Sequence, residues 1–120
     1  MNTTILGKEG ELLAIEMLRK NKFAIVATNF RFKKWEIDII AKKDNLIVFV
    51  EVKTRSNNCL FEPWKAVSLS KQQQIIKVAN DFLIRNQVDG ESRFDIISIL
   101  KNKESIKIDH IQDAFSPLLK

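Results

Sequence analysis

The feature that most constrains this 120-residue chain is the run from Trp35 to Arg55, WEIDIIAKKDNLIVFVEVKTR. Ile37, Ile39, Ile40, Ile47, Val48, Phe49, Val50 and Val52 are β-branched or aromatic, and Lys42-Lys43-Asp44-Asn45 interrupts them. This pattern predicts two strands joined by a tight polar turn. Side chains alternate faces along a strand, so Glu36 shares a face with Asp38, and Glu51 with Lys53. If Asp44-Asn45 forms a two-residue loop, the numbers of paired residues sum to 89. Asp38 then stands opposite Glu51, and Glu36 opposite Lys53. A register shift of two keeps all four on one face, whereas a slip of one separates them.

Asp38 facing Glu51 is a poor way to stabilise a sheet. Two carboxylates about 5 Å apart repel by roughly 3 kcal/mol at an effective dielectric of 20. A divalent cation between them turns that repulsion into coordination, because hard cations such as Mg2+ take carboxylate oxygens. The pattern of Asp38, twelve residues, then Glu51-Val52-Lys53 resembles the signature of the PD-(D/E)xK nucleases. The resemblance implies metal held by Asp38, Glu51 and the Val52 carbonyl, with Lys53 helping to position the attacking water. The structural alternative is a cross-strand Glu36–Lys53 salt bridge with the other acids solvated.

One hundred and twenty residues fit a single domain spanning 1–120, long enough to bury a core. An apolar fraction of 45% and a charged fraction of 29% suit an ordinary globular chain. A net charge of +5 favours an anionic partner, of which nucleic acid is the commonest. Cys59 is the only cysteine, which excludes an intrachain disulfide and suits a reducing compartment. The start, MNTTILGKEGE, has neither a basic n-region nor an apolar h-region, and the longest apolar run, Leu46 to Val50, is too short to span a bilayer. A cytoplasmic protein with no membrane contact is expected.

Residues 4–21 read as a first helix. Glu9, Glu16, Arg19 and Lys20 form its polar face, and Gly7, Ala14 and Leu18 lie opposite. Glu11 falls with the apolar side, so it either needs a cation or a strong donor, or reaches water at the boundary. Gly7 and Gly10 weaken the helix by up to about 1 kcal/mol each, which makes sense where its backbone must approach a neighbour closely. Residues 23–33 read as a strand that continues into the hairpin as an antiparallel meander. Asn29 and Arg31 share one face of that strand, Arg31 either solvated or on a phosphate.

Residues 56–69 carry no clear period, and Pro63 opposes a continuous helix. The segment leaves directly from Lys53-Thr54-Arg55, so Phe61 and Trp64 either stack on a base or anchor the loop. Ser70 is expected to cap a second helix running to about Gln87, with Ile75, Ile76, Ala79, Phe82 and Leu83 as its buried stripe. Lys71 and Gln74 lie in its first turns, where backbone amides attract phosphate or the end is merely solvated. Asp89-Gly90 closes it, and 93–100 and 105–111 read as strands. A strand–helix–strand run of this length predicts a right-handed crossover to a parallel neighbour. With one histidine, His110, and one cysteine, a structural zinc site is excluded and His110 reads as structural. Residues 113–120 read as a short packed end.

Three separated blocks then match one family: Gly7-x-x-Gly10-Glu11, Glu36-Ile37-Asp38 with Phe49-Val50-Glu51-Val52-Lys53-Thr54-Arg55, and Arg93-Phe94-Asp95. Asn29-x-Arg31 and Lys71 fit as well. Together they resemble the YraN-like family of uncharacterised bacterial proteins, which is similar to archaeal Holliday-junction resolvases. The resemblance implies an α/β, restriction-endonuclease-like fold, a central mixed five-stranded sheet flanked by helices in the order α-β-β-β-α-β-β. It implies Glu11, Asp38, Glu51 and Lys53 as the catalytic set, with Glu11, Asp38 and Glu51 on Mg2+ or Mn2+. Glu36 matches the YraN-like pattern but not the resolvase set. Arg31, Arg55, Lys71 and Gln74 are the expected contacts to a DNA backbone. Branched DNA and a homodimer follow from the resolvase likeness.

One departure stands out, because the family usually has Gly before Glu-Ile-Asp and this chain has Trp35. The bulky ring either narrows access to the hairpin or offers a stacking surface. Two rival functions remain at this point: a nucleic-acid-binding module that kept the fold and lost turnover, and a protein-interaction domain with incidental charge.

Overall fold

A computed structural model describes residues 3–56 and 67–117. Its elements are α1 (Thr3–Lys20), β1 (Ala24–Phe32), β2 (Trp35–Lys43), β3 (Leu46–Ser56), α2 (Leu69–Arg85), β4 (Glu91–Lys101) and β5 (Ile106–Phe115). The strands form one open sheet in chain order, β1-β2-β3-β4-β5. All neighbours are antiparallel except β3 and β4, the parallel pair that the α2 connection joins. The meander and the parallel crossover are therefore as expected. Cys59, Phe61, Pro63 and Trp64 lie outside the described residues.

The hairpin register follows the loop. Lys43 pairs with Leu46 and Ile39 with Val50, each pair summing to 89. Asp44 adopts φ 55°, a left-handed conformation that Asp tolerates because its short side chain can bond locally. The ladder goes no further than Ile39 and Val50. Beyond it Asp38 accepts a hydrogen bond from the Val52 amide through its carboxylate, at 2.8 Å, so a side chain takes the place of a ladder bond. The Glu36–Lys53 salt bridge does not form. Glu36 turns instead to Arg31, its register partner on β1, at 3.2 Å.

Both faces of the sheet are covered, which is why β3 reads as a nearly continuous apolar run. On one face Ile37, Ile40, Phe49, Phe94, Ile96 and Phe115 pack with Ile75, Val78, Ala79 and Phe82 of α2. On the other, Ile39, Ala41, Val48, Val50, Ile97 and Ile99 pack with Ala14 and Leu18 of α1. Ile37 and Ile40 are three apart yet join the same cluster, so the alternation of β2 slips around Asp38.

Gly10 sets how closely α1 approaches the sheet. A Cβ there would lie 2.0 Å from Thr54 Oγ1, so only glycine permits this contact between α1 and β3. Gly7 has no such reason, since no described atom lies within 4 Å of its would-be Cβ.

Three boundaries differ from the sequence reading. Ser68, not Ser70, caps α2: its backbone is extended and its hydroxyl accepts from the Lys71 amide at 3.1 Å. The helix stops at Arg85, where Asn86 caps it and Gln87 turns left-handed at φ 50°. β5 runs four residues past Ile111 to Phe115, because a register shift opposite Phe94 and Ile96 accommodates left-handed Asp113. Among the described residues no helix is long and apolar enough to cross a membrane.

Candidate functional site

Glu51 is placed by β3, a strand whose apolar neighbours fix it at the centre of the sheet with only 5% of its surface exposed. Burying a carboxylate costs several kcal/mol unless partners compensate. Its compensation is incomplete. Lys53 Nζ lies 3.9 Å and Lys71 Nζ 3.8 Å from Oε2, while buried Oε1 has no hydrogen-bond partner among the described residues. Lys71, on the first turn of α2, thus faces an acid of the site.

Asp38 stands beside Glu51, near enough for the two carboxyls to share one proton. Burial, then repulsion from Asp38, pushes Glu51 up to about 8, against the pull of Lys71 and Lys53. Burial also raises Asp38, but the Val52 amide, Glu51 and Lys71 oppose the rise. Both carboxyls are thus raised, Glu51 by its burial and by the Asp38 charge. An orphaned buried oxygen next to a second carboxylate is a donor set that fits a hard divalent cation.

Glu11 comes from the other layer. It is carried by α1, and its Oε1 accepts from Asn29 Nδ2 at 3.4 Å. The same amide donates to Glu36 Oε1 at 3.2 Å, so Asn29 bridges the two acids. Burial and then the Asp38 charge raise Glu11. Among the described residues no three of His, Cys, Asp and Glu come together in a metal-holding group. Of the expected trio, Asp38 and Glu51 are adjacent, and Glu11 feels the Asp38 charge from α1.

The residues expected to contact phosphate have these surroundings. Arg31 is exposed and engaged by Glu36. Arg55 Nη1 donates to the Thr54 carbonyl at 3.3 Å. Gln74 lies one turn beyond Lys71 on α2 and is half-buried. The sequence reading placed Asn29 only in the Asn29-x-Arg31 block and gave it no part in the site; in the structure it adopts φ 51°, a conformation Asn tolerates better than most residues.

A second buried acid was also missed. Asp95 on β4 is fully buried and receives Arg93 Nε at 2.8 Å and Arg93 Nη2 at 2.9 Å. The Asp113 amide donates to it at 2.9 Å, and His110 Nε2 lies 2.7 Å away. Burial alone would raise Asp95, but His110, Arg93 and the Asp113 amide outweigh it and hold the carboxyl below its usual range. His110 is therefore structural, as expected.

Comparison with known proteins agrees with the motif blocks. Residues 10–99 match a family described as uncharacterised protein family UPF0102. A UPF0102 protein of Flavobacterium psychrophilum is 47% identical over 92% of each chain. One from Christiangramia forsetii is likewise 47% identical over 92% of each chain. One from Bacteroides thetaiotaomicron is 40% identical over 95% of this chain and 94% of its own.

Proposed function

The chain belongs to the uncharacterised protein family UPF0102, and from that premise we propose that it is a Mg2+- or Mn2+-dependent endonuclease that hydrolyses DNA phosphodiester bonds on a restriction-endonuclease-like fold. The observation that carries this reading is the Asp38–Glu51 pair: two adjacent, largely buried carboxyls, one with an orphaned oxygen and a pKa pushed up to about 8. A fold gains nothing from such a pair. A cation-dependent reaction does.

Asp38 and Glu51 would hold the divalent ion, with the Val52 carbonyl between Glu51 and Lys53 as a further oxygen donor. When bound, such an ion acidifies water in the site and offsets charge building on the phosphate. The protein's own residues supply the rest. The Val52 amide holds the Asp38 carboxylate in place through Oδ2. Lys53 and Lys71 flank Glu51, and their charge would orient water or steady the scissile phosphate. Glu11 brings a third acid toward Asp38 from α1. Arg31, Arg55, Lys71 and Gln74 would contact the DNA backbone without reading sequence. Branched DNA and a homodimer rest on the resolvase likeness.

A second reading has one observation in its favour. The three acids do not assemble into one group, which suits a nuclease-like fold that binds nucleic acid without turnover. Calorimetric titration of Mn2+ into wild type and Asp38→Asn separates the two. Saturable binding lost in the variant, followed by Mn2+-dependent cleavage of flapped or branched DNA, supports the enzyme. DNA binding without Mn2+ binding or cleavage supports the binding module.

A further inference from the structure

Trp35 opens β2, three residues before Asp38, and pairs with Phe32 across the Lys33-Lys34 turn. Lys33 turns left-handed at φ 58° and carries its Nζ 5.4 Å from the Phe32 ring centroid. Two more ammonium groups converge on Trp35: Lys34 at 5.9 Å and Lys77 of α2 at 5.0 Å. None of these three lysines is paired with a carboxylate among the described residues. The indole is half-buried, with part of it packed on the α2-side core.

A purely structural account covers part of this. Cation–π contacts of about 0.5–1 kcal/mol each would tie the turn to α2. That account does not explain why three lysines with no carboxylate partner among the described residues gather at two adjoining rings, where their like charges work against the contacts. Phosphates would remove the repulsion, and an aromatic face offers a sequence-tolerant platform for an unpaired base.

We infer that Trp35, with Lys33, Lys34 and Lys77, forms the docking surface for an unpaired DNA strand leading to the Asp38–Glu51 site. The indole stacks on a base and the lysines take the flanking phosphates. This surface rests on the DNA reading of the site.

The test compares metal-free binding of a blunt DNA duplex with that of the same duplex carrying a short single-stranded tail, by fluorescence anisotropy. Wild type is expected to favour the tailed DNA. Trp35→Ala should reduce tailed binding about 10-fold and leave blunt binding unchanged, while Trp35→Phe retains most of the preference. Equal binding by wild type and Trp35→Ala, or an equal loss on both DNAs, overturns the inference. If Trp35→Ala does not fold, the exposed pair Lys33→Gln and Lys77→Gln serves instead. Two lost single-strand phosphate contacts should flatten the slope of log affinity against log salt by roughly 1.4 on tailed DNA. An unchanged slope overturns the inference. Wild type that binds neither DNA at low salt overturns the DNA reading itself, a failure distinct from one confined to Trp35.

Discussion

Asp95 and Glu51 stand on the two parallel central strands, one rung apart: Val50 pairs with Asp95, and Glu51 with Ile96. They face opposite sides of the sheet, Asp95 with the α1-side cluster beside Val50 and Glu51 with the α2-side cluster beside Ile96. Both are nearly or wholly removed from water. Asp95 has a guanidinium, an imidazole and a backbone amide around it, and its pKa falls. Glu51 has two lysines at nearly 4 Å, a second carboxylate beside it and an oxygen without a donor, and its pKa rises. Burial is common to both, so burial does not separate the two acids. The completeness of the partners does.

The largest expected effect breaks the satisfied side. Asp95→Ala removes the acceptor for Arg93 and the anchor of the Asp113 bulge, and leaves the guanidinium half-buried without its partner. Losing one member of a buried pair costs about 3–5 kcal/mol, so urea unfolding should show a loss of that size at pH 7. A loss under about 1 kcal/mol would mean that Asp95 is not a structural clamp.

The unsatisfied side should behave in the opposite sense. The folded-state pKa of Glu51 lies above its unfolded value, so its protonated form favours folding. That contribution is complete below about pH 4.5 and is lost as pH climbs through about 8. Asp95 is lowered, so its contribution is present above its ordinary value of 3.8 and is lost as pH falls through the folded one. Glu51→Gln should therefore stabilise the metal-free protein at pH 8.5, on the order of 2–4 kcal/mol, and leave the acid limb intact. Thermal melts at pH 5, 7 and 8.5 read this directly. A variant less stable than wild type at pH 8.5 would place Glu51 with Asp95, as a structural acid.

The two sides also differed in how much of them was visible in the sequence. The hairpin register was legible because alternation and a two-residue loop leave one way to bury Ile39, Phe49 and Val50. The same rule failed at Glu36, since it assumes a ladder that continues past Ile39 and Val50, and the Asp38 carboxylate occupies that place. Asp95 read only as part of a motif block. Its partners lie on its own strand and on β5, and the bulge at Asp113 that brings an amide to it has no glycine to announce it. Ser68 lost to Ser70 for a plainer reason, as two serines flank Leu69 and both are good caps.

A smaller effect tests how α1 brings Glu11 toward the pair. Gly10→Ala gains up to about 1 kcal/mol of helix propensity but drives a methyl into the Thr54 side chain, and overpacking of this kind costs about 1–3 kcal/mol. A net loss of about 1 kcal/mol is expected in urea unfolding. The double variant Gly10→Ala with Thr54→Ser should recover part of it, because the Thr54 methyl is also within 3.4 Å of the added carbon. If the double variant is no better than the single one, the close approach is relieved by movement of the whole helix.

The smallest effect bears on the outer acids. Arg31 on the edge strand β1 pairs with Glu36 on β2, and the arginine is 70% exposed, so solvent screens the attraction. Arg31→Ala should change stability by no more than about 0.5 kcal/mol, in contrast to the clamp at Asp95 built from the same residue types. Its effect should appear in Mn2+ titration instead. Glu36 loses its cation, keeps the Asn29 amide, and adds its charge to those around Asp38. More negative charge near Asp38 should tighten cation binding a few-fold at low salt and by less at high salt. Weaker Mn2+ binding in Arg31→Ala would mean that Arg31 orders the site, and would move the edge of the functional region outward to β1.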